Sequence, residues 1–436
     1  MRELAGRRAA DVPAGAWWAW GLAAAFYLVA LFHRMSLGVA SFEAERRLDL
    51  APGTVAVLSA LQLALYLVML VPAGLTADRL GPRRALAIGL AGIAVGELAF
   101  GLTHSPGVAL AGRALVGAGD AFIFLCVLRL AQSWFPPRRF ALLACLTALA
   151  GAVGQLVTTV PLGSALDALG WTPVFAGSGL LTGALALGCL RLIRDRPARE
   201  AGAGAAGASA PGPVAHDGLR ATLRMAWAQP GTRDGFWTHF GLMGPFLAIT
   251  ALWGYPYLVT AQGLSAPAAR AWLLGTVAVV VVASPVVGIV AGRRPDLRAA
   301  VGLATSAALT ALWGATLLWP GGPPPGGIAL GAFVATGLAG AVAMLAFDVA
   351  REGGPAHRAA SVSALVNTGG FSAAVLGQLA VGQALRLNGV DLRIALWPLL
   401  GLMGLALVQL ALRARRARPA RAALVQPVGS EGTGGV

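Results

Sequence analysis

The sequence predicts an all-α membrane protein of twelve transmembrane helices arranged as two pseudo-symmetric bundles of six. Three observations lead there. The 436-residue chain is 57% hydrophobic and 12% charged, with a mean hydropathy of +0.73, where a soluble domain carries about 25% charged residues. Its apolar stretches each approach the roughly 20 residues that cross a hydrocarbon layer of about 30 Å. One loop between such stretches is also echoed half a chain later.

The spans are expected at about 16–40, 55–76, 85–102, 108–130, 140–162, 173–193, 235–259, 268–290, 299–318, 328–349, 359–385 and 394–412. An even count places both termini on one side, and the basic residues say which. All 33 basic residues are arginines. With the termini inside, only Arg46, Arg47, Arg270, Arg386 and Arg393 fall in outer loops, and Arg34, Arg113 and Arg129 lie within spans. The remainder cluster in the tails, the inner loops and the central segment. The reading is a multi-pass protein of the cytoplasmic (inner) membrane with both termini cytoplasmic. The apolar run after Arg7 and Arg8 is long and lacks a small-residue cleavage site, so it reads as a first span rather than a removed signal.

Four regions follow: a first bundle over 1–193, a cytoplasmic linker over 194–234, a second bundle over 235–412 and a basic tail over 413–436. Residues 194–218 are rich in Ala, Gly and Pro and cannot build a core. Leu219–Gln229 is amphipathic and suits the inner membrane surface. The echo is between 71–84, VPAGLTADRLGPRR, and 284–298, SPVVGIVAGRRPDLR. Each carries a proline, a glycine and then arginines in a tight loop, which marks an internal repeat of two halves.

Composition also excludes. The net charge of +15 lies in short clusters between apolar runs, not along one face, which argues against nucleic acid. Cys126, Cys145 and Cys189 sit inside apolar runs at spacings that match no metal site. No nucleophile with a base and no phosphate-cradling loop appears, so neither an enzyme nor a cofactor is expected. The expected partners are a small-molecule substrate, protons and the lipid bilayer, and the chain reads as a monomer.

The loop Gly74-Leu75-Thr76-Ala77-Asp78-Arg79-Leu80-Gly81-Pro82-Arg83-Arg84 resembles the G-x-L-x-D-R-x-G-R-R signature of the major facilitator superfamily. Only Pro82 departs, at a position that is usually basic. The glycines permit a tight turn and close helix approach, and Asp78 can meet a helix N-terminus or an arginine and latch the halves. The resemblance implies the twelve-helix fold and solute transport by alternating access. In the second copy Gly292 stands where the acid would be.

In span four, Arg113-Ala-Leu-Val-Gly117-Ala-Gly119-Asp120-Ala121 is similar to the superfamily's R-x-x-x-G-x-G. Gly119-Asp120-Ala121 resembles the G-E-G/A of the anion:cation symporter branch, with Asp for Glu. Trp134-Phe135-Pro136-Pro137 before Arg138-Arg139 recurs there and among nitrate porters. That branch implies proton coupling at Asp120. In span one, Arg34-Met35-Ser36-Leu37-Gly38-Val39-Ala40 looks like the branch's R-x-N-L-S-V-A, whose arginine implies an anion contact. By helix rise Arg34 is expected about 8–9 Å from the outer end of its span, within snorkelling reach of water.

Buried charges need partners, cavities or tasks. Glu97 and Arg113 sit symmetrically about the turn His104-Ser105-Pro106 and are expected to form a structural ion pair. Asp120 lies two helical turns below Arg113, at roughly 18 Å, with no evident permanent partner at its depth. It is the expected protonation residue. Gln62 and Tyr66 in span two, Gln155 in span five and Asn367 in span eleven, together with Tyr27 of span one, are expected to line the substrate path. Trp253-Gly254-Tyr255-Pro256-Tyr257 reads as a kink and outer aromatic rim. The function expected is proton-coupled uptake of a small organic anion; the alternative is a drug/proton antiporter. Span five, GAVGQLVTTVPLG, lacks the Gly-Pro pair and trailing Gly-Gly of such exporters.

Overall fold

A computed structural model describes residues 15–51, 53–136, 139–195, 219–352, 359–388 and 391–425. Most of the expected linker (196–218) and the end of the tail (426–436) lie outside the described residues. The described chain is helical, with no strand among the described residues.

The first half runs α1 (Ala16–Val39), α2 (Ser41–Arg47), α3 (Val55–Leu80), α4 (Pro82–Leu102), α5 (Pro106–Trp134), α6 (Phe140–Leu169) and α7 (Trp171–Leu192). The short α8 (Leu219–Ala228) follows, where the amphipathic stretch is read. The second half has α9 (Pro230–Ala248), α10 (Gly254–Pro256), α11 (Ala266–Arg293), α12 (Arg298–Leu317), α13 (Gly326–Val342), α14 (Leu345–Arg351), α15 (Ala359–Asn388), α16 (Leu392–Ala395) and α17 (Trp397–Val425). Two π-helical turns, Ile249–Trp253 and Tyr257–Ala261, flank α10, so span seven is continuous from Pro230 to Ala261.

Among the described residues, eleven helices are long and apolar enough to cross a membrane. The tenth expected span is built from the shorter apolar α13 and, after a turn at Ala343 and Met344, α14. Together they cover the stretch read as one span, and the twelve-helix architecture stands. Many apolar side chains point outward, among them Leu180, Leu187, Val282 and Leu376, as lipid-facing surfaces require.

Small residues set the close packing. On α4, Gly89 faces Gly119 of α5 and Gly96 faces Gly112, a seven-residue step along each of two antiparallel helices. A Cβ on Gly89 would lie 2.7 Å from the Gly119 carbonyl oxygen, so the backbones touch directly. In the second half, Gly235 and Gly369 bring α9 against α14 and α15 in the same way.

The two halves meet at the end of the bundle remote from the chain termini. Gly38 of α1 packs on the Ala251 carbonyl of span seven, and Phe42 lies 5.9 Å from Tyr255. Gly53 packs on the Gly382 carbonyl of α15. Arg270 of α11 grips Asp167 of α6 through two bonds of 2.5 and 3.1 Å. Arg270, read as an outer-loop residue, is instead a buried helical residue whose guanidinium lies across Gly163. The aromatic rim is corrected as well. Trp253 and Tyr257 are buried, Trp253 donating to the Gln378 carbonyl and Tyr257 packing on Trp313. The π turns rotate this segment inward, which regular helical periodicity does not foresee.

Gly53 has φ +80°, and a Cβ there would sit 2.5 Å from the Gly382 carbonyl oxygen. Gly53→Ala therefore costs about 1–2 kcal/mol in backbone strain alone and wedges the halves apart. With the native cysteines replaced, a thiol at Thr158, between the halves, is expected to react several-fold faster in Gly53→Ala. Unchanged labelling would show that this contact does not hold the end closed.

Candidate functional site

Residues from five elements converge at mid-bundle. Arg34 of α1 is buried, and its Nε donates to Asp120 Oδ2 of α5 at 2.6 Å. The guanidinium lies 4.4 Å from the Tyr66 ring of α3, and Tyr66 stacks on Phe371 of α15 at 4.8 Å. The guanidinium also lies 6.0 Å from the Phe371 ring, so the cation and two rings form a cluster that joins the first half to the second. Tyr27 packs on Phe124 near the pair and above Gly151.

Two expectations change here. Asp120 has a partner, and Arg34 turns inward rather than snorkelling. The reason is that the helical path does not stop at Val39. The Ala40 N–H bonds back to Ser36, α2 continues to Arg47, and Arg47 donates to the carbonyls of Thr103 and Gly101 at the α4 end. Counted from Arg47 instead of Ala40, Arg34 is about 20 Å deep, level with Asp120.

Beside this pair lies a second buried network. Arg113 Nη1 stands 3.4 Å from Glu97 Oε2, and Arg113 Nη2 donates to the His33 carbonyl at 3.1 Å and to Gln62 Oε1. Gln62, expected on the substrate path, is instead 1% exposed and committed to Arg113. His33 Nδ1 is 3.3 Å from Glu97 Oε1, and its Nε2 is 2.8 Å from Thr182 Oγ1. His33 and Thr182 were not singled out from the sequence. A histidine directly before the span-one arginine was the available signal.

Gln155 lines a small pocket between the halves with Met35, Thr158, Thr159, Thr250 and Val277. The threonine hydroxyls donate back to their own helix carbonyls, as Thr250 does to Phe246 at 2.7 Å. Asn367 is half-buried one turn before Phe371 on α15.

The signature loop sits at the other end, on the side of the termini. Gly81 takes φ +82° to turn α3 into α4. The Arg83 N–H donates to Asp195 Oδ1 at 2.7 Å, placing a carboxylate on the α4 N-terminus. Asp195 follows α7 and was read as the start of the linker. Its segment is fixed by Ser133, which donates to the Asp195 carbonyl, and by Trp134, which donates to the Arg194 carbonyl. Gly74 packs near Leu125, Arg79 and Arg84 are exposed, and the Asp78 side chain lies outside the described residues. Among the described residues no group of His, Cys, Asp and Glu could hold a metal.

The central pair yields a stability prediction. Removing one partner of a buried ion pair costs about 3–5 kcal/mol when the other stays charged. A carboxyl can neutralise itself by taking a proton, whereas a guanidinium cannot. Asp120→Asn is therefore expected to lower the unfolding temperature in detergent more than Arg34→Gln does. Equal losses would argue against an intimate pair.

The family model described as Major Facilitator Superfamily matches residues 15–378. An uncharacterized MFS-type transporter of Mycobacterium tuberculosis is 26% identical over 156 residues, 36% of this chain and 27% of that protein. The chain thus spans about a quarter of the length of that relative. Among solved structures, a bacterial homolog of the human lysosomal transporter Spinster, inward-facing and unoccupied, aligns with TM-score 0.67 and 18% identity over 92% of this chain and 96% of that one. A D-xylose–proton symporter aligns with TM-score 0.70 and 14% identity over 90% and 96%. At these identities the structures show the fold. With the family model covering most of its length, the chain belongs to the Major Facilitator Superfamily and is a multi-pass membrane protein.

Proposed function

We propose that this transporter takes up a small organic anion together with a proton, by alternating access, with both termini in the cytoplasm. The observation that carries the reading is the Arg34–Asp120 bond. A guanidinium has five N–H donors; here Nε is given to Asp120, while Arg34 Nη2 and Asp120 Oδ1 are buried without a hydrogen-bond partner. The site holds a cation with donors to spare, neutralised by an acid of its own.

That arrangement couples the two ligands. A substrate carboxylate arriving beside an ionised Asp120 would set two anions against one cation in a poorly solvated site. Protonation of Asp120 releases Arg34, and the substrate anion then replaces it at the guanidinium. Anion and proton therefore bind together. The Tyr66–Phe371 stack supports transmission, since it ties the position of the Arg34 guanidinium to α15 of the second half. The Arg270–Asp167 bridge is the complementary element at the far end. Asp167 is 60% exposed, so the bridge is weak enough to open during the cycle.

The antiporter reading draws on one observation: the paired site is neutral and aromatic-walled, as a site for apolar cations exchanged against protons would be. Proteoliposomes separate the two. Labelled mono- and dicarboxylates are expected to enter faster under an acid-outside gradient. Asp120→Asn should retain anion exchange but lose the response to the gradient, and Arg34→Ala should lose uptake at least tenfold. Uptake indifferent to the gradient in the unmodified protein would defeat proton coupling. Expulsion of cationic dyes without anion transport would establish the antiporter.

Ligand stabilisation supplies an independent check. In the unmodified protein an accepted anion should raise the unfolding temperature more as pH falls, because binding requires protonated Asp120. In Asp120→Asn the same rise should appear at every pH between about 5 and 8. A pH-independent rise in both proteins would show that Asp120 and the anion do not compete.

A further inference from the structure

The hydrogen bonds around His33 leave one position unfilled. Thr182 Oγ1 lies 2.8 Å from the Ser178 carbonyl oxygen of its own helix and donates its hydrogen there. Its lone pairs then face the ring, so His33 Nε2, also at 2.8 Å, carries a hydrogen and donates to Thr182. In a neutral imidazole with hydrogen on Nε2, Nδ1 is a bare lone pair. Yet Nδ1 faces the carboxyl oxygen Glu97 Oε1 at 3.3 Å, and neither atom has a hydrogen-bond partner. Both side chains are 0% exposed, so water does not relieve the contact. Two buried acceptors in contact are unfavourable, and one added proton converts the contact into a charge-assisted bond.

We propose that His33 and Glu97 form a second proton-binding site of this carrier, separate from the Arg34–Asp120 pair and out of contact with the cargo. The added proton resides on Nδ1, giving imidazolium against carboxylate, or on Oε1, giving carboxylic acid against neutral imidazole. Either way the cluster gains one positive charge, and when the proton leaves, Nδ1 and Oε1 are again two lone pairs.

The groups facing the site are Arg34 of the same helix, Gln62 of α3, Glu97 of α4, Arg113 and Asp120 of α5, and Thr182 of α7. Arg113 disfavours the extra charge, while Glu97 and Asp120 favour it. His33 precedes Arg34 in the chain, and Asp120 lies within electrostatic reach of both His33 and Arg113.

The site itself does not depend on the identity of the cargo; its use in transport rests on the proton coupling proposed above. Nitrogen-15 NMR of histidine-labelled protein in nanodiscs tests the site without substrate, and His33→Gln identifies the His33 signals among those of the five histidines. With its proton bound, the His33 ring is expected to carry hydrogen on Nε2 with Nδ1 protonated or hydrogen-bonded to a protonated carboxyl. In Glu97→Gln, whose amide can donate to Nδ1, the ring should become neutral with hydrogen on Nε2 alone. A neutral ring with hydrogen on Nδ1 and a bare Nε2 in the unmodified protein would overturn the proposal, because Thr182 then donates to the ring. So would an ionised Glu97 beside a bare Nδ1 that takes up no proton as the pH is lowered.

The second measurement is the number of protons moved per substrate, from reversal potentials in proteoliposomes. His33→Gln is expected to lower it by one, and an unchanged ratio overturns the use of the site in transport. Loss of gradient dependence in the unmodified protein, with the NMR signature intact, would remove the coupling at Asp120 while leaving the His33–Glu97 site standing.

Discussion

A charge that cannot be neutralised, placed where water does not reach, constrains the first half of this molecule. Arg34 is buried and permanently cationic, so the surrounding helices must supply an anion and a set of acceptors or the fold pays several kcal/mol. Asp120 supplies the anion, and the Tyr66 face supplies a second favourable contact. Arg113 poses the same problem one layer away. It is solved with Glu97, Gln62 and the His33 carbonyl, the last being the backbone of the residue before Arg34. The position of one guanidinium is thereby tied to the other.

This arrangement needs helices that approach closely and do not slide. The glycine contacts between α4 and α5 provide that, since backbone touching backbone fixes the register of Glu97 against Arg113. Across the halves the contacts are of a different kind. They include glycine-on-carbonyl approaches, the Tyr66–Phe371 stack, the Phe42–Tyr255 ring contact and the partly exposed Arg270–Asp167 ion pair. Buried charges and their acceptors lock the helices of the first half, while the two main core clusters draw apolar side chains from both halves.

Much of the fold was legible because hydropathy and arginine placement are properties of whole segments, which survive local error. The span ends were less legible. α3, α5, α6 and α11 each run past their expected ends, since a helix continues into the interface as long as its backbone finds partners. That is why Arg34 was misjudged: its depth was counted from the end of an apolar run, while the helical path continues through the polar residues of α2. Pairings between neighbours in chain order, such as Glu97 with Arg113, follow from antiparallel symmetry about a short turn. Pairings between distant spans, such as Arg34 with Asp120 or His33 with Thr182, depend on helix rotation, which no single span reveals. Asp195 was hidden by composition, because it stands at the head of a segment that otherwise reads as linker.

The two π turns of span seven have a bearing on sequence change. Each is equivalent to one residue inserted into a regular helix. Elsewhere in the bundle, losing a residue would rotate everything beyond it by about 100° and break the ladder. Within either π turn, losing one residue would instead restore the regular ladder there and leave the other π turn in place. Span seven is where this protein can vary its length and keep its hydrogen bonds. A shorter version would turn Trp253 and Tyr257 to new faces, so a change of length there acts on the packing at the far end of the bundle rather than on its hydrogen bonds.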